Sequence, residues 1–208
     1  MGRAGPGRPS GDDEYGDDHE DWARPAGIFV LAPITGGAAV AIREAQRRFD
    51  PKLADAYPPH ITLAGSSGVG PIRAHTPVDE LLRRLAPVAA ATPVLSLPVG
   101  RPQRFMQTQV ISLPMDPHGP LRVLHDRIAR SGLPFGPARF TFTPHVTLNL
   151  YRTPTPEVVR ELLSVRIDEP VIIDRLLLSA TDDPNPPRML LEIPLGAPQA
   201  PAPRGSAD

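Results

Sequence analysis

The feature that most constrains the fold of this 208-residue chain is a five-residue frame, Pro-His-aliphatic-Thr-Leu, that occurs twice. The first copy is PHITL, with its histidine at His60, and the second is PHVTL, with its histidine at His145. In an extended strand alternate side chains point to the same side. Each copy therefore predicts a strand with a histidine and a threonine on one face and two aliphatic side chains on the other. The proline before each histidine marks the start of that strand, because it lacks an amide hydrogen and keeps the preceding residue extended.

The segments around the two frames follow a similar order. Before the first frame the sequence predicts a buried strand (27–33) and a helix (36–49). Thr35 is expected to cap this helix, which should end by Pro51. Its apolar face is predicted to hold Val40, Ala41, Ala45 and Phe49. A strand (107–114) and a helix (120–132) are predicted before the second. Further helices are expected at 78–90, with an end or a kink at Pro87, and at 155–163, and further strands at 93–100, 170–181 and 188–195. The chain thus predicts an α+β fold of two pseudo-symmetric lobes, with largely antiparallel sheets and outer helices around a central cleft.

The composition divides the chain into a folded centre and two tails. Residues 1–26 carry seven acids and much Gly and Pro, which predicts a disordered acidic tail. Residues 197–208 are mostly Ala, Pro and Gly and predict a second disordered tail. The centre, residues 27–196, is expected to form one domain with lobes at about 27–100 and 101–196. It holds 18 Lys and Arg against 15 Asp and Glu. Such a mild positive charge suits a small phosphate substrate or one nucleic-acid end better than a long phosphate backbone.

Several classes of protein are disfavoured by the same composition. The chain has no cysteine, so we expect neither disulfides nor thiolate metal sites. No apolar run approaches the length of a membrane helix, and the N-terminus lacks the apolar segment of a signal peptide. We therefore expect a cytoplasmic protein without a membrane partner, and we expect it to be a monomer.

The paired histidines suggest acid–base chemistry. If the two His/Thr faces meet across a cleft, one imidazole can be neutral while the other is protonated, because the reference pKa of histidine is about 6.5. Such a pair suits in-line displacement at phosphorus, with Thr62 and Thr147 donating hydrogen bonds to the non-bridging oxygens. Two histidines without an acidic ligand make a poor zinc set, so no metal is expected.

At the level of these motifs the chain resembles a known family. HITL (60–63) and HVTL (145–148), each after a proline and each following a strand and a helix, resemble the paired motifs of the 2H phosphoesterase superfamily. That superfamily includes the bacterial proteins called 2'-5' RNA ligases and RNA 2',3'-cyclic phosphodiesterases. The resemblance covers roughly residues 27–196. It implies hydrolysis or transesterification of 2',3'-cyclic or 2'-5' phosphodiesters of nucleotides or RNA ends, without metal or cofactor. It also implies His60 as general acid and His145 as general base, in an order that can invert with the direction of reaction.

Other residues are candidates for substrate binding. Classical RNA enzymes of that superfamily often have a basic residue directly after the second motif, whereas here Asn149 follows and Arg152 comes later. Tyr151 is a candidate for stacking on a base and Arg152 for holding a phosphate. Weaker candidates for the same roles are Phe105, Arg104 and Arg139. His75, His118 and His125 lack a repeated frame and are expected to be structural or solvated.

Two alternatives to this enzyme remain open from the residues alone. The same cleft could serve a nucleotide- or RNA-end-binding module without turnover. It could also serve an acid–base enzyme of another kind that uses the same two histidines. Turnover and its pH dependence distinguish an enzyme from the binding module, because only an enzyme requires both histidines in defined protonation states.

Overall fold

The computed structural model describes residues 26–105, 108–182 and 185–196. The two predicted tails therefore lie outside the described residues, apart from Ala26. The helices are α1 (Gly36–Phe49), α2 (Pro51–Ala56), α3 (Val78–Ala90), α4 (Pro120–Ala129) and α5 (Pro156–Ser164). The strands are β1 (Gly27–Pro33), β2 (His60–Ala64), β3 (Leu95–Leu97), β4 (Gln103–Arg104), β5 (Ile111–Pro114), β6 (His145–Asn149), β7 (Val171–Ile173), β8 (Arg175–Asp182) and β9 (Asn185–Pro194).

Seven strands form one sheet in the order β4-β5-β6-β2-β1-β8-β9, and β3 pairs with β7 in a second, two-stranded sheet. Every pairing between these named strands is antiparallel. The predicted α+β class with largely antiparallel sheets is thus confirmed. The two motif strands, β2 and β6, are direct neighbours in the large sheet.

The element order repeats about the β2–β6 junction. The first unit runs β1-α1-β2-α3-β3-β4, with α2 inserted before β2, and the second runs β5-α4-β6-α5-β7-β8. The last strand of each unit pairs with the first strand of the other, because β4 lies beside β5 and β8 lies beside β1. The helices cross over as well, since α1 contacts β6 and α4 contacts β2. With the two units divided between β4 and β5, each half of the large sheet contains strands of both units.

The two faces of the large sheet are packed differently. Ile61, Leu63, Val146 and Leu148, the aliphatic residues of the two frames, are fully buried in the main hydrophobic core. The alternation of side chains then turns the motif histidines and threonines toward the opposite face. That face carries only a small second cluster of buried apolar residues, formed by Leu31, Tyr57 and Leu177. The sheet thus separates the folding core from the candidate site.

Some helix predictions need correction. Ala45 and Phe49 lie on the buried face of α1 as predicted, but Ala38 and Ile42 complete that face, whereas Val40 is 60% exposed. Thr35 stands at the N-cap position, but its hydroxyl donates to the Ile172 carbonyl and does not cap the helix. The α3 helix continues to Ala90 in spite of Pro87. A proline one turn before a helix end removes only one hydrogen bond, which packing can offset.

The strand predictions were too long in places and missed a short element. The run 170–181 breaks at Asp174 into β7 and β8, because β7 pairs with β3 while β8 pairs with β1 and β9. Helix α2 follows directly after α1 and was not predicted. Its first residue is Pro51, which was interpreted as a stop and serves here as the first residue of a new helix.

Candidate active site

The four motif side chains share one face at the centre of the large sheet. Ile61 pairs with Val146, and continuing this antiparallel register by one residue places His60 opposite Thr147 and Thr62 opposite His145. The two histidines are then diagonal neighbours, for which about 7–8 Å is the usual spacing in an antiparallel pair. All four side chains are half-buried. The sheet register thus brings the predicted pair together, each imidazole beside the other motif's hydroxyl.

Both imidazoles are oriented by the same backbone contact. The Nδ1 atom of His60 lies 2.8 Å from the Pro58 carbonyl oxygen, and Nδ1 of His145 lies 2.8 Å from the Thr143 carbonyl oxygen. A carbonyl can only accept, so Nδ1 carries the proton in each ring. In the neutral form the lone pair is therefore on Nε2 of both histidines, the atom that can take or give the proton in a reaction.

The electrostatic setting of His145 favours its neutral form. Burial lowers the pKa of the His145 imidazole below its ordinary value of 6.5, and the hydrogen bond to the Thr143 carbonyl opposes this shift. A buried imidazole loses part of the hydration that stabilises its cation, which is why burial has this sign. At neutral pH His145 is consequently set up to accept a proton.

An aromatic ring stands at the edge of each imidazole. The Tyr57 ring contacts His60 at a centroid distance of 5.3 Å, and the Phe105 ring contacts His145 at 5.0 Å. Both contacts are edge-on, a geometry that aromatic pairs favour. The Tyr57 hydroxyl is also hydrogen bonded to Ser179 Oγ at 3.0 Å. Each ring restricts the movement of the histidine beside it.

The two motif threonines have similar hydroxyl groups but different backbone contacts. Their hydroxyls have no hydrogen-bond partner among the residues that the structure describes, so both can donate to a ligand. The Gln46 side chain, from α1, donates from Nε2 to the Thr147 carbonyl oxygen at 2.8 Å. This bond fixes the backbone of β6 from the core side of the sheet.

Tyr151 and Arg152 lie in a turn just beyond β6. Both are exposed, and because β2 and β6 are antiparallel the turn lies toward the His60 end of the site. The ammonium group of Lys52 lies 4.4 Å from the centre of the Tyr151 ring. The ammonium group of Lys52 thus lies beside the aromatic ring at this end of the site. The role of Tyr151 and Arg152 in substrate binding stays a prediction.

The weaker candidates have other surroundings. Arg104 donates to the Thr108 carbonyl and to Gln109 Oε1, and Arg139 is exposed. His125 is only 4% exposed, donates from Nδ1 to the Leu63 carbonyl, and stacks on Phe142. It is more deeply buried than the sequence suggested, and its contacts are structural.

The contact of Tyr57 with His60 was missed in the sequence. An aromatic residue stands three positions before each motif histidine, in YPPH (57–60) and FTPH (142–145), but this spacing does not predict the contact, because Phe142 stacks on His125. Gln46 and Asp50, which bind the backbone of β6 and of the turn after it, left no signal of this kind. Their contacts join residues about one hundred positions apart, and nothing in the local pattern indicates such a pairing.

The arrangement can hold a tetrahedral group between two proton-transfer groups. Two Nε2 atoms on a diagonal can address opposite sides of one phosphorus, while the hydroxyls of Thr62 and Thr147 hold its non-bridging oxygens. Among the described residues, no group of three or more His, Asp or Glu side chains is arranged to hold a metal ion. No helix in that part of the chain is long and apolar enough to cross a membrane.

Comparison with known proteins shows the family of the chain. The family model described as the 2'-5' RNA ligase superfamily matches residues 36–185, which include both frames. The chain belongs to the 2'-5' RNA ligase superfamily. The match covers all the elements from α1 to β8. It therefore includes both motif strands, and also β4 and β8, the strands that pair with the other unit.

The chain is also similar to individual proteins and to a solved structure. The chain is 32% identical over 105 residues to a candidate phosphoesterase of Geobacillus kaustophilus, a stretch that covers 50% of this chain and 57% of that protein. A similar protein of Geobacillus thermodenitrificans matches with the same identity and coverage. The chain thus spans little more than half the length of these relatives. The crystal structure of E. coli LigT in its apo form covers 82% of this chain and 97% of LigT, with a TM-score of 0.52 and 19% identity. This likeness shows that the fold is shared.

Proposed function

We propose that this protein is a metal-independent phosphoesterase of the 2'-5' RNA ligase type. It hydrolyses or transesterifies 2',3'-cyclic or 2'-5' phosphodiesters of small nucleotides or RNA ends by two-histidine acid–base catalysis. The observation that carries the proposal is the pairing of Ile61 with Val146, which puts His60 and His145 on one sheet face as diagonal neighbours, together with the Nδ1–carbonyl contact that makes Nε2 the proton-transfer atom of each ring. Membership of the superfamily and the names of the Geobacillus relatives support the same chemistry.

The roles of the two histidines follow from their surroundings. The lowered pKa of His145 suits the general base, which must be neutral to take a proton from the attacking water. His60 is then the general acid, which gives its proton to the leaving ribose oxygen as that P–O bond breaks. Thr62 and Thr147 hold the non-bridging oxygens, whose negative charge grows during the displacement.

To test this proposal, the purified protein is incubated in the presence of EDTA with each member of a panel of 2',3'-cyclic nucleotides and 2'-5' dinucleotides. Products are identified as 2'- or 3'-phosphates. We expect turnover that falls by roughly 10² to 10⁴-fold when either histidine becomes alanine, because each proton transfer contributes about this factor. His118→Ala, at an exposed histidine outside the site, is the matched control. Binding of the nucleotides without turnover in the wild type would instead establish a recognition module.

A further inference from the structure

Asp50 is a buried carboxylate outside the four motif residues. It stands between α1 and α2 and is 0% exposed. Among the described residues no Lys, Arg or His forms an ion pair with it. A buried charge without a counter-ion is costly unless hydrogen bonds compensate for its lost hydration. Hydrogen bonds to the Asp50 carboxylate must therefore offset the free-energy cost of its burial.

The carboxylate is compensated by three backbone amides from two separate parts of the chain. Oδ1 accepts from the Leu53 amide at 3.2 Å, which caps α2. Oδ2 accepts from the Leu150 amide at 2.8 Å and the Tyr151 amide at 2.7 Å. Oδ1 is thus bonded to the helix that precedes the first motif strand, and Oδ2 is bonded to the turn that follows the second motif strand.

This bridge lies where the sheet itself provides little constraint. Between β2 and β6 only Ile61 and Val146 are paired, whereas β1 and β8 are paired over five residues. A single pair fixes the register of the two motif strands but supplies few of the hydrogen bonds that hold neighbouring strands together. Other contacts must hold the two imidazoles at the spacing that the reaction needs.

Contacts from the end of α1 supply that constraint on the His60 side. Gln46 and Asp50 stand four residues apart and bind the Thr147 carbonyl and the amides of the following turn. At the His145 end, backbone bonds join the loops after β2 and before β6, with Ser66 accepting from Arg139 and Phe140. The junction of the two motif strands is therefore held from both ends.

We propose that Asp50 is a positioning residue that fixes the separation of His60 and His145 by tying the turn after β6 to the start of α2. This inference rests on the proposed function for its kinetic consequence, but not for its structural one. The negative charge matters because one oxygen atom must accept from two amides at once. Hydrogen bonds to an ionised acceptor are shorter and stronger than those between neutral groups.

Asp50→Asn tests the bridge selectively. Asparagine is as good an N-cap as aspartate, so the bond to the Leu53 amide can persist. Its amide has only one acceptor oxygen, which can bind either the Leu53 amide or the amides of Leu150 and Tyr151, so the bridge is broken in either orientation. In both orientations the Leu150 and Tyr151 amides also lose the ionised acceptor. Asp55→Asn is the matched control, because Asp55 is an exposed carboxylate in the same helix. Both variants are compared with the wild type well below their melting temperatures.

We expect kcat of Asp50→Asn on 2',3'-cyclic nucleotides to fall about 10²-fold, with a much smaller change in KM, since a displacement of about 1 Å can cost that factor. Hydrogen exchange at the Leu150 and Tyr151 amides should accelerate, and crystal structures should show a changed separation of His60 and His145. Asp55→Asn should match the wild type in all three measurements. Unchanged kcat, or unchanged histidine positions, in Asp50→Asn would overturn the inference. If the wild type turns over no phosphodiester, the proposed function fails, and the exchange and crystallographic comparisons still decide the role of Asp50.

Discussion

At the scale of single residues, two histidines in identical frames have different surroundings. Both use Nδ1 to bind a carbonyl two residues earlier, so their rings are oriented alike. The pKa of His145 is lowered by burial. The aromatic neighbours differ too, because Tyr57 is anchored to Ser179 by its hydroxyl whereas Phe105 has no hydroxyl. An approximate symmetry of the backbone thus carries an asymmetric pair of groups, as acid–base catalysis requires.

The pH dependence follows from the direction of the His145 shift. The general base works only when neutral, so kcat/KM should rise with pH through the pKa of His145, which burial lowers below the ordinary value of 6.5. We therefore expect the acidic limb of the pH profile of kcat/KM to have its midpoint below 6.5. Rates measured from pH 4.5 to 9 on a 2',3'-cyclic nucleotide check this. A midpoint above 6.5 would contradict the assignment of His145 as the base.

The motif threonines allow a conservative test. Thr62→Val and Thr147→Val remove a hydroxyl while keeping a shape and a strand propensity close to those of threonine. We expect kcat to fall by roughly 10² to 10³-fold for each, as when one donor to a developing oxyanion is lost. The melting temperature should change little. Thr35→Val, which removes a hydroxyl bonded to the Ile172 carbonyl, serves as the control and should keep its kcat.

At the scale of elements, the loop after β2 is packed around a glycine. Gly68 has a φ of +74°, and a Cβ atom there would overlap the ring of His125. That ring in turn donates to the Leu63 carbonyl of the first motif strand and stacks on Phe142. The loop, helix α4 and β2 are therefore packed together, and this packing requires that residue 68 have no Cβ atom.

Gly68→Ala should lower the free energy of unfolding by clearly more than the roughly 1–2 kcal/mol that a left-handed backbone costs an L-residue. Gly36→Ala separates the two effects. Gly36 has a similar φ of +78°, but the nearest atom to a Cβ there is Ile172 Cγ1 at an ordinary 3.7 Å. Denaturant unfolding of both variants gives the comparison. Equal losses would show that the contact with His125 does not matter for stability.

At the scale of the whole molecule, the two sequence units depend on each other for their edge strands. The strand β8, from the second half of the chain, pairs with β1 along five residues, and β4, from the first half, pairs with β5. Helices α1 and α4 likewise pack on the motif strand of the other unit. Separating the units would expose the core surface of both motif strands.

We therefore expect neither residues 26–105 nor residues 106–196 to fold alone. Each fragment would lack the strands and helix that cover its part of the sheet, and so much of its apolar burial. Circular dichroism during heating should show no cooperative transition for either fragment, whereas residues 26–196 should unfold in one step. A cooperative transition in an isolated half would show that the exchanged elements are dispensable.

The sequence by itself determined the local structure of the site. Alternation in PHITL and PHVTL predicts which side chains are buried and which are displayed, and the order of strands and helices predicts an α+β fold of two similar units. These features are decided within a few residues, by side-chain direction in a strand and by the missing amide hydrogen of proline. The sequence predicts one strand over 170–181, because the polar pair Asp174 and Arg175 does not by itself show that the two apolar runs beside it pair with different strands.

Only the tertiary structure decided which parts of the two units meet. Tyr57 and Phe142 occupy the same place in the two frames, yet Tyr57 contacts His60 while Phe142 stacks on His125, and Phe105 contacts His145. The grip of Asp50 on a turn one hundred residues away is of the same kind. Such contacts depend on how helices and strands from distant parts of the chain fill one core, and the free energy of that packing is not contained in any local pattern.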